Sequence, residues 1–145
     1  TLEEVRDYVE GIKLRMAHWF TVDDLNHLKR GGRISAAAAL LGSTLNIKPI
    51  LHVDNEGHLI PVGKVRGRKN SLKSLLDKLM ETGVDLAEQP IFISHGDARE
   101  DAELLANMIR ESLPVKEIVI NYIGPVIGAH SGPGTIALFF LAKGR

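Results

Sequence analysis

There is no cysteine among the 145 residues, which excludes a disulfide framework and any thiolate chemistry. Aromatic residues are sparse at 5%, and neither charge is in excess, 18 Lys and Arg balancing 18 Asp and Glu. The broad positive field that supports sequence-independent affinity for DNA or RNA is therefore missing. No apolar run approaches the length of about 18 residues that a membrane-spanning helix needs. No glycine-rich stretch ends in Gly-Lys-Ser or Gly-Lys-Thr, so ATP hydrolysis through a Walker loop is not expected. A secretory leader is also missing, and the cytoplasm is the expected compartment. The first residue is Thr1 rather than methionine, and a helical pattern begins at once, as expected of a piece of something longer. What remains is a globular composition, 44% hydrophobic and 25% charged, with enough chain for one self-supporting core.

Along the chain, Thr1 followed by Glu4 predicts a reciprocal helix cap, and Leu2, Val5, Val9, Ile12 and Met16 recur as one apolar stripe by which that helix is expected to pack. His18 to Val22 reads as a strand. Asp23 and Asp24 suit the cap of a helix from Asp24 to Lys29. Gly31-Gly32 then demands a sharp turn or a close approach. A buried helix is expected from Ile34 to Leu45. Ile47 to Val53 and His58 to Arg66 flank turn residues and predict a hairpin whose prolines, Pro49 and Pro61, belong at an edge or near a strand start. Leu72, Leu75, Leu76 and Leu79 mark a helix that Gly83 ends. Pro90 to Ser94 and Val115 to Ile123 read as strands, joined by a helix burying Ala102, Leu105, Met108 and Ile109 with Asp97 as its expected cap. Thr135 to Leu141 closes the chain as a strand. The expected fold is α/β (α+β), a two-layer sandwich with a mixed sheet and helices mainly on one face.

Most motif-like strings fail on context. Gly132, Gly134 and Ala137 imitate a dinucleotide fingerprint, but too little chain follows for the acidic residue such a site needs. The six histidines have no compact ligand spacing, so no metal site is expected. Ser94, His95 and Asp97 spell a triad only as letters, because neighbours at a strand end point to opposite faces. Lys64, Arg66, Arg68 and Lys69 form one basic cluster and Lys29, Arg30 and Arg33 another, both expected on a solvated face. Arg33 stands apart because it follows the glycine pair, where a guanidinium can meet an anion or tie down carbonyls.

The most informative stretch runs from Ile123 to Gly134. Glycines at 124, 128, 132 and 134 clear space around His130 and Ser131, while Pro125 and Pro133 stiffen what reads as a loop. An imidazole and a hydroxyl among free N–H groups suit a carboxylate or phosphate oxygen. A glycine-rich turn whose histidine caps backbone groups would have the same letters. Two further readings stay open on these residues: an enzyme of acyl or phosphoryl transfer with His130 as base and Ser131 as nucleophile, and a nucleic-acid-binding regulator acting through the basic clusters.

This stretch, with Phe20-Thr21-Val22-Asp23-Asp24-Leu25, Leu28 to Ser35 and Ile47-Lys48-Pro49-Ile50-Leu51, resembles the DegV family of bacterial fatty-acid-binding proteins. The resemblance covers residues 1–145 as the carboxy-terminal, lipid-binding domain of such a protein, the amino-terminal domain being absent from this chain. It implies a non-catalytic carrier, with no cofactor or metal, that holds a long-chain fatty acid such as palmitate between its two domains. A partner fatty acid kinase would make acyl phosphate for phospholipid synthesis. It also implies that His130 joins the head-group hydrogen-bond network, that Gly128 and Gly132 allow the approach, and that Ser131 and Arg33 belong to the same site.

Overall fold

The computed structural model describes residues 1–35 and 46–144. Thr1 opens α1 (Leu2–Ile12) with the expected reciprocal cap, its hydroxyl accepting the Glu4 N–H at 3.3 Å while the Glu4 carboxylate takes the Thr1 amine. The stripe of this helix packs on neither hydrophobic cluster of the described residues. None of its residues is buried, and Leu2, Val5 and Val9 are 81%, 60% and 50% exposed. The expectation of a packed face fails because the three residues after Ile12 lead straight into the sheet, leaving α1 outside both hydrophobic clusters.

From there the elements follow the expected order. β1 (Met16–Thr21) leads to α2 (Leu25–Arg30), whose cap Asp24 accepts the Asn26 N–H at 2.8 Å. The helix expected from Ile34 to Leu45 lies, from residue 36 onward, outside the described residues. β2 (Ile47–Val53) and β3 (Leu59–Arg66) form the hairpin, its turn held by the Asp54 carboxylate, which accepts the N–H groups of Glu56 and His58. α3 (Arg68–Thr82) stops at Gly83. β4 (Pro90–His95), α4 (Arg99–Ser112) and β5 (Glu117–Tyr122) make a parallel crossover, then α5 (Pro125–Ser131) precedes β6 (Ile136–Leu141).

The six strands form one mixed sheet in the order β3-β2-β1-β6-β4-β5, antiparallel except for the β4–β5 pair. Pro61 lies on the edge strand β3. Pro49 is the third residue of β2, near the strand start as expected; it pairs with Lys64 of β3, while β2 pairs with β1 in register only at Leu51 and Phe20. Strand alternation sorts side chains by face. Ala17, Trp19, Ile91, Ile93, Ile136, Leu138 and Phe140 point towards α3 and α4 and make the main core with Leu72, Leu75, Leu79, Leu105 and Ile109. α3 covers β1 to β3 and α4 covers β4 and β5. The opposite face carries a smaller cluster, Phe20, Leu51, Leu25, Leu28 and Ile34, and among the described residues no long helix packs on it. This is the expected two-layer α/β arrangement, and it leaves one sheet face for a site. Among the described residues no helix is long and apolar enough to cross a membrane.

Candidate functional site

The sheet face opposite α3 and α4 carries a trough of about 390 Å³. Strand register builds its floor: Phe20 pairs with Ala137, and Ala137 with Ser94; one step along, His18 pairs with Phe139. These are the residues that alternate with the main core, so burying Trp19, Ile93 and Leu138 on one side obliges their neighbours to face the other. Val53 and Leu59, cross-strand partners in the hairpin, close the far end. From β6 to β3 the floor crosses three strand spacings, about 14 Å at roughly 4.8 Å each. The lining is mostly apolar, with polar groups gathered where α5 runs into β6: His130, Ser131, Thr135 and, from the far wall, Arg33.

The segment expected as a loop is a short helix. Pro125 occupies the first turn of α5, where its missing N–H costs nothing, and Gly132 ends the helix with φ +80. His130 and Ser131 therefore sit on the last turn of a helix. Ser131 is 5% exposed, and among the described residues its Oγ has no hydrogen-bond partner. A buried hydroxyl in that condition is costly, and here it borders the trough. Thr135 fixes the exit from α5 by donating its hydroxyl to the carbonyls of Ser131 and Gly132 at 3.1 and 2.8 Å.

His130 is half-buried and rests on Gly31. A Cβ at position 31 would stand 3.2 Å from its Cγ and nearer still to Nδ1. The arrangement is reciprocal, since a Cβ on Gly132 would fall 2.6 Å from Cγ of His27 in α2. Each segment thus supplies a histidine ring and a bare backbone position for the other. The glycine pair Gly31-Gly32 turns out to do both expected things, for Gly31 is approached closely and Gly32 turns with φ +70. At Gly128 and Gly124 a Cβ would meet nothing within 4 Å, so within this chain the clearance comes from Gly31 and Gly132 rather than from Gly128. Arg33 is exposed and donates from Nη1 to the Gly31 carbonyl at 2.6 Å, bracing the turn on which His130 rests while its side chain borders the trough.

Asp97 is not the cap of α4. Its φ of +48 makes Ala98 the N-cap, and the Ala98 N–H is taken by His95 Nδ1 at 3.2 Å. His95 is wholly enclosed and lies 4.4 Å from the Tyr122 ring, and burial pushes its pKa below the ordinary 6.5. Ser94 faces the trough instead, so the three triad letters diverge as expected. Arg68, grouped by sequence with a solvated basic run, is only 19% exposed and ion-paired to Asp101 at 2.8 Å. Nothing in the run of basic letters signalled this; its place at the start of a helix, where a cation is disfavoured, could have. A second hollow of about 580 Å³ lies behind the α5–β6 turn, bordered by Asp23, His27, Asp97 and Asp101. Among the described residues no group of three or more His, Asp or Glu stands together as metal ligands.

The family model described as "Uncharacterised protein, DegV family" matches residues 1–143. The chain belongs to the DegV family. A DegV domain-containing protein of Clostridium perfringens is 55% identical over 141 residues, 97% of this chain and 48% of that protein. The chain spans about half the length of the curated relatives it matches. Among solved structures, a DegV lipid binding protein from Thermotoga maritima superposes with a TM-score of 0.81 at 32% identity, covering 100% of this chain and 50% of that one. A fatty acid binding DegV family protein from Streptococcus agalactiae gives 0.79 at 31% identity, over 99% and 50%. The Fatty Acid Kinase (Fak) B3 protein of Streptococcus pneumoniae, loaded with linoleic acid, gives 0.87 at 21% identity over 99% and 50%, a likeness of fold. The mixed sheet with its long helices packed on one face is therefore the fold this chain shares with solved DegV proteins.

Proposed function

We infer that this DegV chain is one half of a cytoplasmic fatty-acid carrier. A long-chain fatty acid such as palmitate lies along the trough, between this domain and an amino-terminal domain, with its carboxylate at His130 and Ser131. The observation that carries this reading is the pairing of an apolar floor with a buried Ser131 hydroxyl, unpartnered among the described residues, at one end. Burying about fifteen methylenes at roughly 0.8 kcal/mol each would supply on the order of 12 kcal/mol of transfer free energy, much of it offset by immobilising the ligand. A buried carboxylate needs donors, and the Ser131 hydroxyl and the His130 ring are the groups at hand. Gly128 leaves α5 bare on its open side, and Arg33 holds the Gly31 turn against which His130 stands. Fatty acid binding by the Streptococcus agalactiae protein, about one third identical to this chain, supports the ligand class.

The carrier does no chemistry itself, and the carboxylate is presented to a partner fatty acid kinase. Ser131 Oγ donates no hydrogen bond to any base among the described residues, so none of them prepares it as a nucleophile. Mass spectrometry of lipid extracted from the full-length protein tests the assignment. Wild type is expected to retain a stoichiometric long-chain acid and His130→Ala to lose most of it. Equal retention, together with unchanged kinase turnover, would remove His130 from the site.

A further inference from the structure

The geometry points to Arg68 as a positioning residue for the head-group turn, a role that rests on the carrier reading above. Arg68 is the first residue of α3, after a Gly67 that offers no side-chain cap, and a cation there opposes the helix dipole. Local preference therefore does not explain it, whereas its contacts do. Its Nη2 donates to the Gly134 carbonyl at 2.6 Å and its Nε to Asp101 of α4 at 2.8 Å. Its Nη1 lies 3.6 Å from Asp23, is buried, and has no hydrogen bond among the described residues.

Gly134 ends the turn that begins at Gly132, directly after His130 and Ser131. Its φ is +80, and a Cβ there would stand 2.6 Å from the Asp23 carboxyl carbon. Asp23 in turn is paired with Lys48 at 2.7 Å. One guanidinium thus fastens the far end of the head-group turn to the start of α4 and to the residues that lead into α2, the helix that carries His27 and ends at Gly31. Because His27 seats on Gly132 and His130 on Gly31, a shift of Gly134 relative to Asp23 displaces both histidine contacts together. Arg68 touches no ligand in this scheme and acts through Gly134.

Palmitate labelled with ¹³C at the carboxyl, bound to the full-length protein, separates this role from plain stabilisation. In Arg68→Gln the bound carboxyl resonance is expected to move and the acid to dissociate about tenfold faster, the equivalent of losing one charge-assisted hydrogen bond. Arg68→Lys is expected to give a similar change, because a single ammonium cannot span Gly134, Asp101 and Asp23 at once. A folded variant with a lower melting temperature but an unmoved resonance and an unchanged dissociation rate would overturn the role. Should Arg68→Gln not fold, Arg68→Lys and Asp101→Asn decide by the same two readings, with no change in either counting against it. Absence of any bound resonance in wild type would bring down the carrier reading and this inference with it. A normal wild-type resonance with indifferent variants would sink the inference alone.

Discussion

His95 shows how one residue's surroundings set a response of the whole chain. Its Nδ1 accepts the Ala98 N–H, which leaves the proton of the neutral ring on Nε2, an atom that is buried and unpartnered among the described residues. Burial lowers its pKa, the positive charge of Arg99 adds to the effect, and Asp97 and Glu103 act the other way. Below the ordinary 6.5 the unfolded chain therefore binds a proton that the folded one resists. Stability owed to His95 is complete above that pH and is lost as pH falls through the lower folded value. Urea unfolding between pH 7.5 and 5 is expected to show falling stability, with a shallower fall in His95→Asn. Equal slopes in the two proteins would refute it. Residues of this kind were the least legible in sequence. Asp97 obeyed the capping rule by spacing, and only its left-handed backbone, which letters do not reveal, passed the role to Ala98 and His95. The glycine pair at 31 and 32 was legible because its departure from ordinary backbone is chemical and local. What it approaches, a ring 99 positions later, was not.

At the scale of elements, periodicity placed all six strands, since alternation and turn chemistry are local signals. The glycines and prolines of α5 read as loop letters, although Pro at the first turn and Gly just past the last are the pattern of a helix start and stop. The opposite error concerns α1, whose stripe is regular but finds no partner among the described residues, periodicity stating that a face is apolar without stating what covers it. Deleting residues 1–12 from the 145-residue chain is accordingly expected to change its unfolding free energy by less than about 1 kcal/mol in urea titrations, as for surface positions. A loss of several kcal/mol would mean that the helix packs on the sheet after all. One further element end is held by a device that sequence did not announce. The side chain of buried Gln89 takes the place of a strand beside Leu141, accepting its N–H at 2.6 Å and donating to its carbonyl at 2.9 Å.

For the molecule as a whole, α3 and α4 cover one sheet face, and the trough on the other is bordered by exposed Val126, Ile127 and Tyr122. An acid that binds the folded form and not the unfolded one must stabilise the full-length protein in proportion to the logarithm of its concentration, by about 2.7 kcal/mol at a hundredfold excess over its dissociation constant. Thermal unfolding of delipidated full-length protein is expected to move to higher temperature with added palmitate and to stay put with an equal concentration of short-chain butyrate. An identical shift with both acids would mean that the apolar floor contributes nothing. The fold class was readable from the order of elements, which alternates strands and helices with one hairpin and one parallel crossover. The trough was not readable, because it arises from strand order, and no local pattern states that β6, last in sequence, lies between β1 and β4.

The crossed seating of His27 on Gly132 and His130 on Gly31 also bears on how the chain comes to life on a ribosome. Neither ring has its seat until segments about a hundred residues apart have met, and closing so long a loop waits on the pairing of β1 with β6. The polar end of the trough thereby forms only after α5 and β6 have been made and β6 has paired with β1, and a chain cut short before them has neither ring seated.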